Sequence, residues 1–333
     1  MSSTFLCRIV ALAAGALALH AAPVRALDRV TFGTDWKAEA EHGGYYQAIA
    51  TGIYRKYGIE VELRQGGPQV NQSQLLAAGR LDFDIASNSF VPLNFIRQSI
   101  PMVAVAAMFQ KDPAVLIAHQ GVGNDSLAAL KGKPIMIGGD TRVGWWLFLK
   151  AKYGYTDDQI RTYTFNIAPF LANKNAVQQG YVTSEPYLIE KAGVKPNVFL
   201  LADSGYASYA SIIETSQKLV NEKSDLVRRF VAASIEGWYS YLRDPAPGNA
   251  LIKKDNPEED DALLAYAVAK MKQYGIVDSG DAKTAGIGAM SDARWRSFFD
   301  VMAGEGLYPK NMDYRKAYTL RFVNQRVGME HKK

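Results

Sequence analysis

The residue types that could do chemistry are gathered in a few short segments. Asp35, Trp36, Glu39, Glu41 and His42 fall in one of them, with Tyr45 and Tyr46 just after. Gly66-Gly67-Pro68 precedes Asn71, Ser87 adjoins Asn88, Trp145 adjoins Trp146, and Glu185 and Tyr187 flank Pro186. Aromatic walls with a few amide, hydroxyl and carboxylate groups suit a small polar or heteroaromatic ligand. The candidate contacts are Asp35, Trp36, His42, Tyr45, Gly67, Asn71, Ser87, Asn88, Trp145, Glu185 and Tyr187. For each aromatic the competing role is core packing, and one member of each adjacent pair is expected to face the core.

Catalysis and metal binding find little to work with. Beyond residue 26 the histidines are His42, His119 and His331, and no two have a metal-ligand spacing. The acidic run Asp255 to Asp261 lacks the glycine and terminal glutamate of a calcium loop and reads as solvated surface. Gly121-x-Gly123 is too short for a dinucleotide fingerprint. Gly138-Gly139-Asp140-Thr141 could hold an anionic group on helix N–H groups, or be a plain N-terminal turn capped by Asp140 or Thr141. The single cysteine is Cys7. No disulfide, cysteine nucleophile, metal or cofactor is expected in the chain beyond it.

These segments must be positioned by regular elements. Arg8, the apolar stretch Ile9 to Ala22 and the small residues around Val24-Arg25-Ala26 read as an export signal, residues 1–26. Its apolar part is too short to span a bilayer, and Cys7 precedes it, where a lipoprotein cysteine would come after. Periplasmic residence is therefore expected. The formal charge of +5 falls to +3 without Arg8 and Arg25, and the basic residues are dispersed, which argues against nucleic-acid binding.

From Leu27 onward, short β-like runs alternate with amphipathic helices. Strands are expected at Arg29 to Phe32, Ile59 to Leu63, Phe83 to Ala86, Met102 to Met108, Ile135 to Ile137, Arg161 to Phe165 and Val198 to Leu201. Helices are expected at His42 to Tyr57, Asn71 to Ala78, Phe90 to Arg97, Leu127 to Leu130, Gly138 through Trp145 to Tyr153, Leu219 to Leu242, Leu263 to Tyr274 and Asp292 to Met302. Such alternation implies an α/β fold with mainly parallel sheets covered by helices. Ligands in these sheets sit beyond the carboxyl ends of strands, where the candidate residues fall.

Several segments carry a resemblance. Thr34-Asp35-Trp36, Glu41-His42-Gly43-Gly44-Tyr45-Tyr46, Gly52-Ile53-Tyr54, Tyr57-Gly58-Ile59-Glu60-Val61, Gln74 to Phe83 and Leu127 to Pro134 together resemble the type II periplasmic binding proteins for sulfonates, nitrate, taurine and thiamine-pyrimidine precursors. The resemblance implies a monomer of two α/β lobes that closes on a small-molecule ligand and delivers it to the membrane permease of an ABC importer. Lobe one would be residues 27–114 plus 217–333, and lobe two residues 115–216, with the chain returning through Ser211 to Glu214.

The family also resembles an enzyme of the same fold, the thiamine-pyrimidine synthase, which uses a lysine, a histidine and a cysteine-rich motif. Here Ala86 and Phe90 stand where the lysine and histidine would, and Gly205 to Ala210 contains no cysteine. Without the amine no Schiff base forms, so a non-enzyme is expected. For a sulfonate or nitrate binder, Arg142 is the one nearby strong donor. Asp35, Glu39, Glu41 and Glu185 would oppose an anion and instead suit ring N–H or amino donors. A nitrogen heterocycle such as a pyrimidine precursor is the expected ligand. A pure adhesion or scaffold protein would bind none.

Overall fold

The computed structural model describes residues 26–332 apart from Gln69, so the expected export signal lies outside the described residues save Ala26. These residues build ten strands: β1 (Asp28–Gly33), β2 (Ile59–Arg64), β3 (Phe83–Asn88), β4 (Met102–Phe109), β5 (Ala114–His119), β6 (Ile135–Ile137), β7 (Ile160–Thr162), β8 (Val177–Tyr181), β9 (Pro196–Leu200) and β10 (Ala210–Ser216). One sheet runs β2-β1-β3-β10-β4 and the other β7-β6-β8-β5-β9. With helices flanking both, this is a two-lobed α/β fold.

Parallel pairing dominates where strand and helix alternate. β1 is parallel to β2 and β3, with Val30 opposite Val61 and Phe32 opposite Phe83. β6 is likewise parallel to β7 and β8. Each sheet also contains one reversed strand. β10 is antiparallel to β3 and β4, and β5 to β8 and β9. Both are the strands that come after a crossing between sheets, where no crossover α-helix intervenes to restore direction. In the expected division, Ala210 to Ser216 counts with lobe two; in the structure it is hydrogen-bonded inside the lobe-one sheet.

The helix Ser224–Arg243 anchors lobe one. It buries Leu226, Val227, Phe230, Val231, Ser234, Trp238 and Tyr241, the three-and-four spacing of a helix with one core-facing stripe. Phe230 stacks on Phe83 with ring centroids 4.0 Å apart, and Tyr54 stacks on it too at 5.4 Å. Burying such a ring contributes about 1.5–3 kcal/mol.

Several expected helices are interrupted. The His42 to Tyr57 stretch forms Gly43–Ala50 and Ile53–Lys56, parted at Gly52, whose φ of 73° is costly for any residue with a side chain. Gln217–Glu222 and Ser224–Arg243 are separated at Lys223. The turn Asp140–Val143 is a 3-10 helix that stops at Gly144, and the α-helix proper is Trp145–Tyr153.

Two segments link the lobes, residues 110–113 and 201–209. Arg294 grips both where they leave lobe one. It donates to the carbonyls of Gln110 and Ser208, the latter at 3.0 Å, and to that of Ala207 at 3.2 Å. Its guanidinium also lies 4.0 Å from the Tyr209 ring centroid.

Candidate functional site

The loop after β1 sets the site. The Trp36 carbonyl accepts from the Thr34 hydroxyl at 2.8 Å and from the Gly66 N–H at 3.1 Å. Ala38 N–H donates to Gln65 Oε1 at 2.7 Å, and its carbonyl accepts from Asn256 at 2.8 Å. Gly66 is required here, because a Cβ would stand 2.4 Å from the Thr34 carbonyl oxygen. The predicted contact Gly67 is its neighbour; a Cβ there would meet only Lys37, at 4.0 Å.

The pinned loop delivers Asp35 and His42 to a small cavity between the lobes. Lobe one contributes Asp35, Glu39, Glu41, His42, Ser87 and Phe109 to its lining, with Ala210 and Ser211 on the return strand. Pro113 and Tyr181 close it from the other side. Its volume is about 10 Å³, room for about one water, so the lobes are shut on each other.

Asp35 accepts from Ser87 Oγ at 2.7 Å and lies 2.9 Å from His42 Nε2. With Asp35 as acceptor, His42 donates from Nε2, which leaves Nδ1 facing the cavity as its second ring nitrogen. That Nδ1 has no hydrogen-bond partner, although His42 is only 2% exposed. Ser211, in the left-handed region at φ 44°, places its Oγ 3.2 Å from the Tyr45 hydroxyl.

Carboxylates crowd the same space. Burial holds Glu39 well above the ordinary carboxylate range, and repulsion from Glu41, Glu259, Asp35 and Glu185 adds to it. Burial also raises Glu41, with the Thr183 hydroxyl across the gap donating to it and partly offsetting the shift. Glu259 is pushed up to about 8 by burial, then by Glu41. It belongs to the acidic run expected to be solvated; this member is instead partly buried and close enough to Glu39 and Glu41 to repel them. Glu185 is raised by burial, and accepts from the Tyr181 N–H at 2.8 Å and the Tyr163 hydroxyl at 3.1 Å. Among the described residues that line the cavity there is no lysine or arginine.

The remaining candidates are placed elsewhere. Tyr45 is fully buried against Phe32 and Trp238, and only its hydroxyl approaches the site. Trp145, expected to wall the cleft, is packed in the core at 5% exposure. Trp146 is buried too and donates to Asp157, so both indoles of that pair turn inward. Asn71 caps the helix Gln72–Ala77 by accepting from Gln74 N–H. Asn88 accepts from Phe90 N–H, which ties its amide to its own turn. Tyr187 packs on Tyr266 at 5.2 Å, a contact between lobe two and the helix Asp261–Tyr274.

Glu185, expected in extended backbone before Pro186, opens the helix Glu185–Lys191 instead, because a proline in the first turn gives up an N–H that has no partner there. Arg142 is exposed, and the Gly138 N–H is taken by Gln179 Oε1 at 2.6 Å. His119 is a core residue, bonded to the Phe170 carbonyl and stacked on its ring. Sequence reasoning missed Glu259, Thr183, Ser211, Tyr163 and Phe165, none of which lies in a motif.

Two five-stranded lobes joined by two crossing segments, with the polar site between them, define a type II periplasmic binding-protein fold. Solved structures agree. A protein from Bordetella bronchiseptica RB50 superposes with a TM-score of 0.69 at 15% identity, over 92% of this chain and 98% of that one. The alkanesulfonate-binding protein SsuA of Xanthomonas axonopodis pv. citri, bound to MOPS, gives 0.65 at 14% identity, over 89% and 99%. Residues 39–247 match the NMT1/THI5-like family, and the chain belongs to it. It is also 26% identical over 306 residues to the riboflavin-binding protein RibY of Chloroflexus aurantiacus, spanning 89% of this chain and 86% of that protein.

Proposed function

We propose that this chain is an exported, non-catalytic solute-binding protein that captures a nitrogen heterocycle and delivers it to the permease of an ABC importer. The carrying observation is the lining of the inter-lobe cavity: Asp35, Glu39 and Glu41 beside His42, whose Nδ1 has no hydrogen-bond partner, with no lysine or arginine among the described lining residues. Such a lining accepts hydrogen bonds and favours positive charge. Ring N–H groups, amino groups or a protonated nitrogen complement it. Pyrimidine precursors and flavins carry such donors, and the name of the RibY relative points to the second of these. Sulfonate or nitrate would meet carboxylates with no guanidinium to offset them, and Arg142 is exposed.

The enzyme reading lacks its amine: Ala86 lies buried in β3 and Phe90 buried at the start of the helix Phe90–Arg97. The proposal extends to periplasmic residence and a monomeric state. A thermal-shift screen of residues 27–333 against aminopyrimidines, flavins, alkanesulfonates and nitrate tests it, since a ligand that binds only the native state raises its stability. A shift with the heterocycles and none with the anions is expected. Shifts with the anions alone would overturn the ligand class, and no shift with any compound would overturn the binding role.

A further inference from the structure

Ser211 interrupts an inner strand of the lobe-one sheet. The ladder pairs Ala210 and Ile212 with Asn88 and Ala86 of β3, and with Phe109 and Ala107 of β4, and passes over Ser211 on both sides. Its φ is 44°, in the left-handed region that residues with a side chain seldom occupy. Such strain persists where surrounding contacts fix it, and it gathers at active sites and ligand clamps. Ser211 lines the inter-lobe cavity with Asp35, Glu39 and Glu41, and its Oγ stands 3.2 Å from the Tyr45 hydroxyl. The direction of that hydrogen bond follows from burial. Two hydroxyls bring two hydrogens, and the bond between them uses one. Tyr45 is 0% exposed, with Phe32 and Trp238 against its ring. The Trp238 indole has only an N–H to give, and burial keeps the Tyr45 phenol protonated. Were Ser211 the donor, the Tyr45 hydrogen would be buried with no acceptor among the described residues, a costly arrangement. Tyr45 therefore donates, and the Ser211 hydrogen is left for the cavity.

We propose that Ser211 is a specificity-determining donor of the cleft, which demands an acceptor on the ligand beside the N–H groups that the carboxylates take. This rests on the heterocycle reading above and narrows it. The ligand class becomes rings with an N–H or amino group next to a carbonyl or a ring nitrogen, as amide, imide and amidine edges have. A plain amine brings the same donors and no acceptor, so it leaves the Ser211 hydrogen unpaired in a site closed to water.

Two arms test it. Without ligand, Ser211→Ala orphans the buried Tyr45 hydroxyl and should lower the urea midpoint by about 0.5 M. In a Tyr45→Phe background the same change should cost nothing. A midpoint that rises in Tyr45→Phe alone would mean that the phenol hydrogen was already orphaned, and would overturn the assigned direction. With ligand, calorimetry compares riboflavin, aminopyrimidine and aniline, the last keeping the ring and amino group without the ring nitrogens. The parent should bind a heterocycle at least about tenfold tighter than aniline, and Ser211→Ala should lose about tenfold for the heterocycle and nothing for aniline. Ser211→Gly removes the same hydroxyl while relieving the backbone, and should reproduce the loss if the alanine variant fails to fold. Aniline bound as tightly as the heterocycle, or a heterocycle affinity unmoved in both variants, would overturn the proposal and leave the heterocycle reading in place. Binding of neither heterocycle would sink that reading, and the narrower ligand class with it.

Discussion

Two carboxyls in the middle of the lobe-one sheet should make this protein lose stability as pH rises through the neutral range. Asp84 on β3 and Glu214 on β10 face each other across the antiparallel ladder, both at 0% exposure. None of their four carboxyl oxygens has a hydrogen-bond partner. Burial raises both well above the ordinary carboxylate range, with repulsion from Asp35 adding to Asp84 and repulsion from Asp84 adding to Glu214. Cross-strand neighbours sit about 5 Å apart. Two charges at that separation repel by about 3 kcal/mol at an effective dielectric of about 20.

The native pair therefore keeps protons that the unfolded chain gives up near pH ~4. A raised native pKa contributes stability that is fully present below the unfolded pKa and is lost as pH rises toward the native one. The slope is about 1.4 kcal/mol per pH unit for each retained proton. One proton held from pH 5 to pH 7 thus accounts for about 2.7 kcal/mol. Asp84→Asn/Glu214→Gln removes the titration while keeping shape. Urea unfolding at pH 5, 6, 7 and 8 should give curves for parent and variant that diverge by at least one such slope, with the variant gaining relative stability at the alkaline end. Parallel pH dependences would refute the reasoning, whatever the absolute stabilities.

Other buried groups give further outcomes. Glu259→Gln should raise the urea midpoint at pH 7 to 8, with the gain shrinking toward pH 4, because its pKa of about 8 reflects a charge that burial disfavours. Arg294→Ala should speed hydrogen exchange in residues 110–113 and 201–209 and cost about 3 kcal/mol, since it strips charged hydrogen bonds from three carbonyls. Trp145→Ala should behave as a core deletion, costing about 3–5 kcal/mol, rather than as a ligand-site variant; a folded, fully stable Trp145→Ala would contradict its placement.

The order of elements is legible in the sequence because most obey simple periodicity and caps. The helix Phe90 to Arg97 can be read to the residue, and Asn71 marks a helix start by the hydrogen bond its type favours. The elements that escape have no such signal. β5 is buried at all six positions and has no alternation to find. β8 reads as polar, yet Gln178 is fully buried and Gln179 is bonded to Gly138 and Thr141. The helix Ala246–Asp255 opens with Pro247, Gly248 and Asn249, which look like a turn.

The site shows the same division. Asp35, His42 and Ser87 converge because the first loop and the third strand end together, which a parallel sheet dictates. Glu259 comes within electrostatic reach of Glu39 and Glu41 by tertiary packing from a distant segment, and Trp145 shows that a tryptophan pair at a helix start can turn entirely into the core.

The most direct test of the acidic, hydrogen-bond-accepting cleft is the sign of proton exchange on binding. Calorimetry of the ligand that emerges from the screen, repeated at pH 7 in buffers of different ionisation enthalpy, counts those protons. A donor-rich heterocycle favours the charged form of Glu39, the cavity carboxyl that burial holds well above its ordinary range, so binding should release protons. Net uptake of protons would mean that the cleft neutralises itself to admit an anion, and would contradict the account.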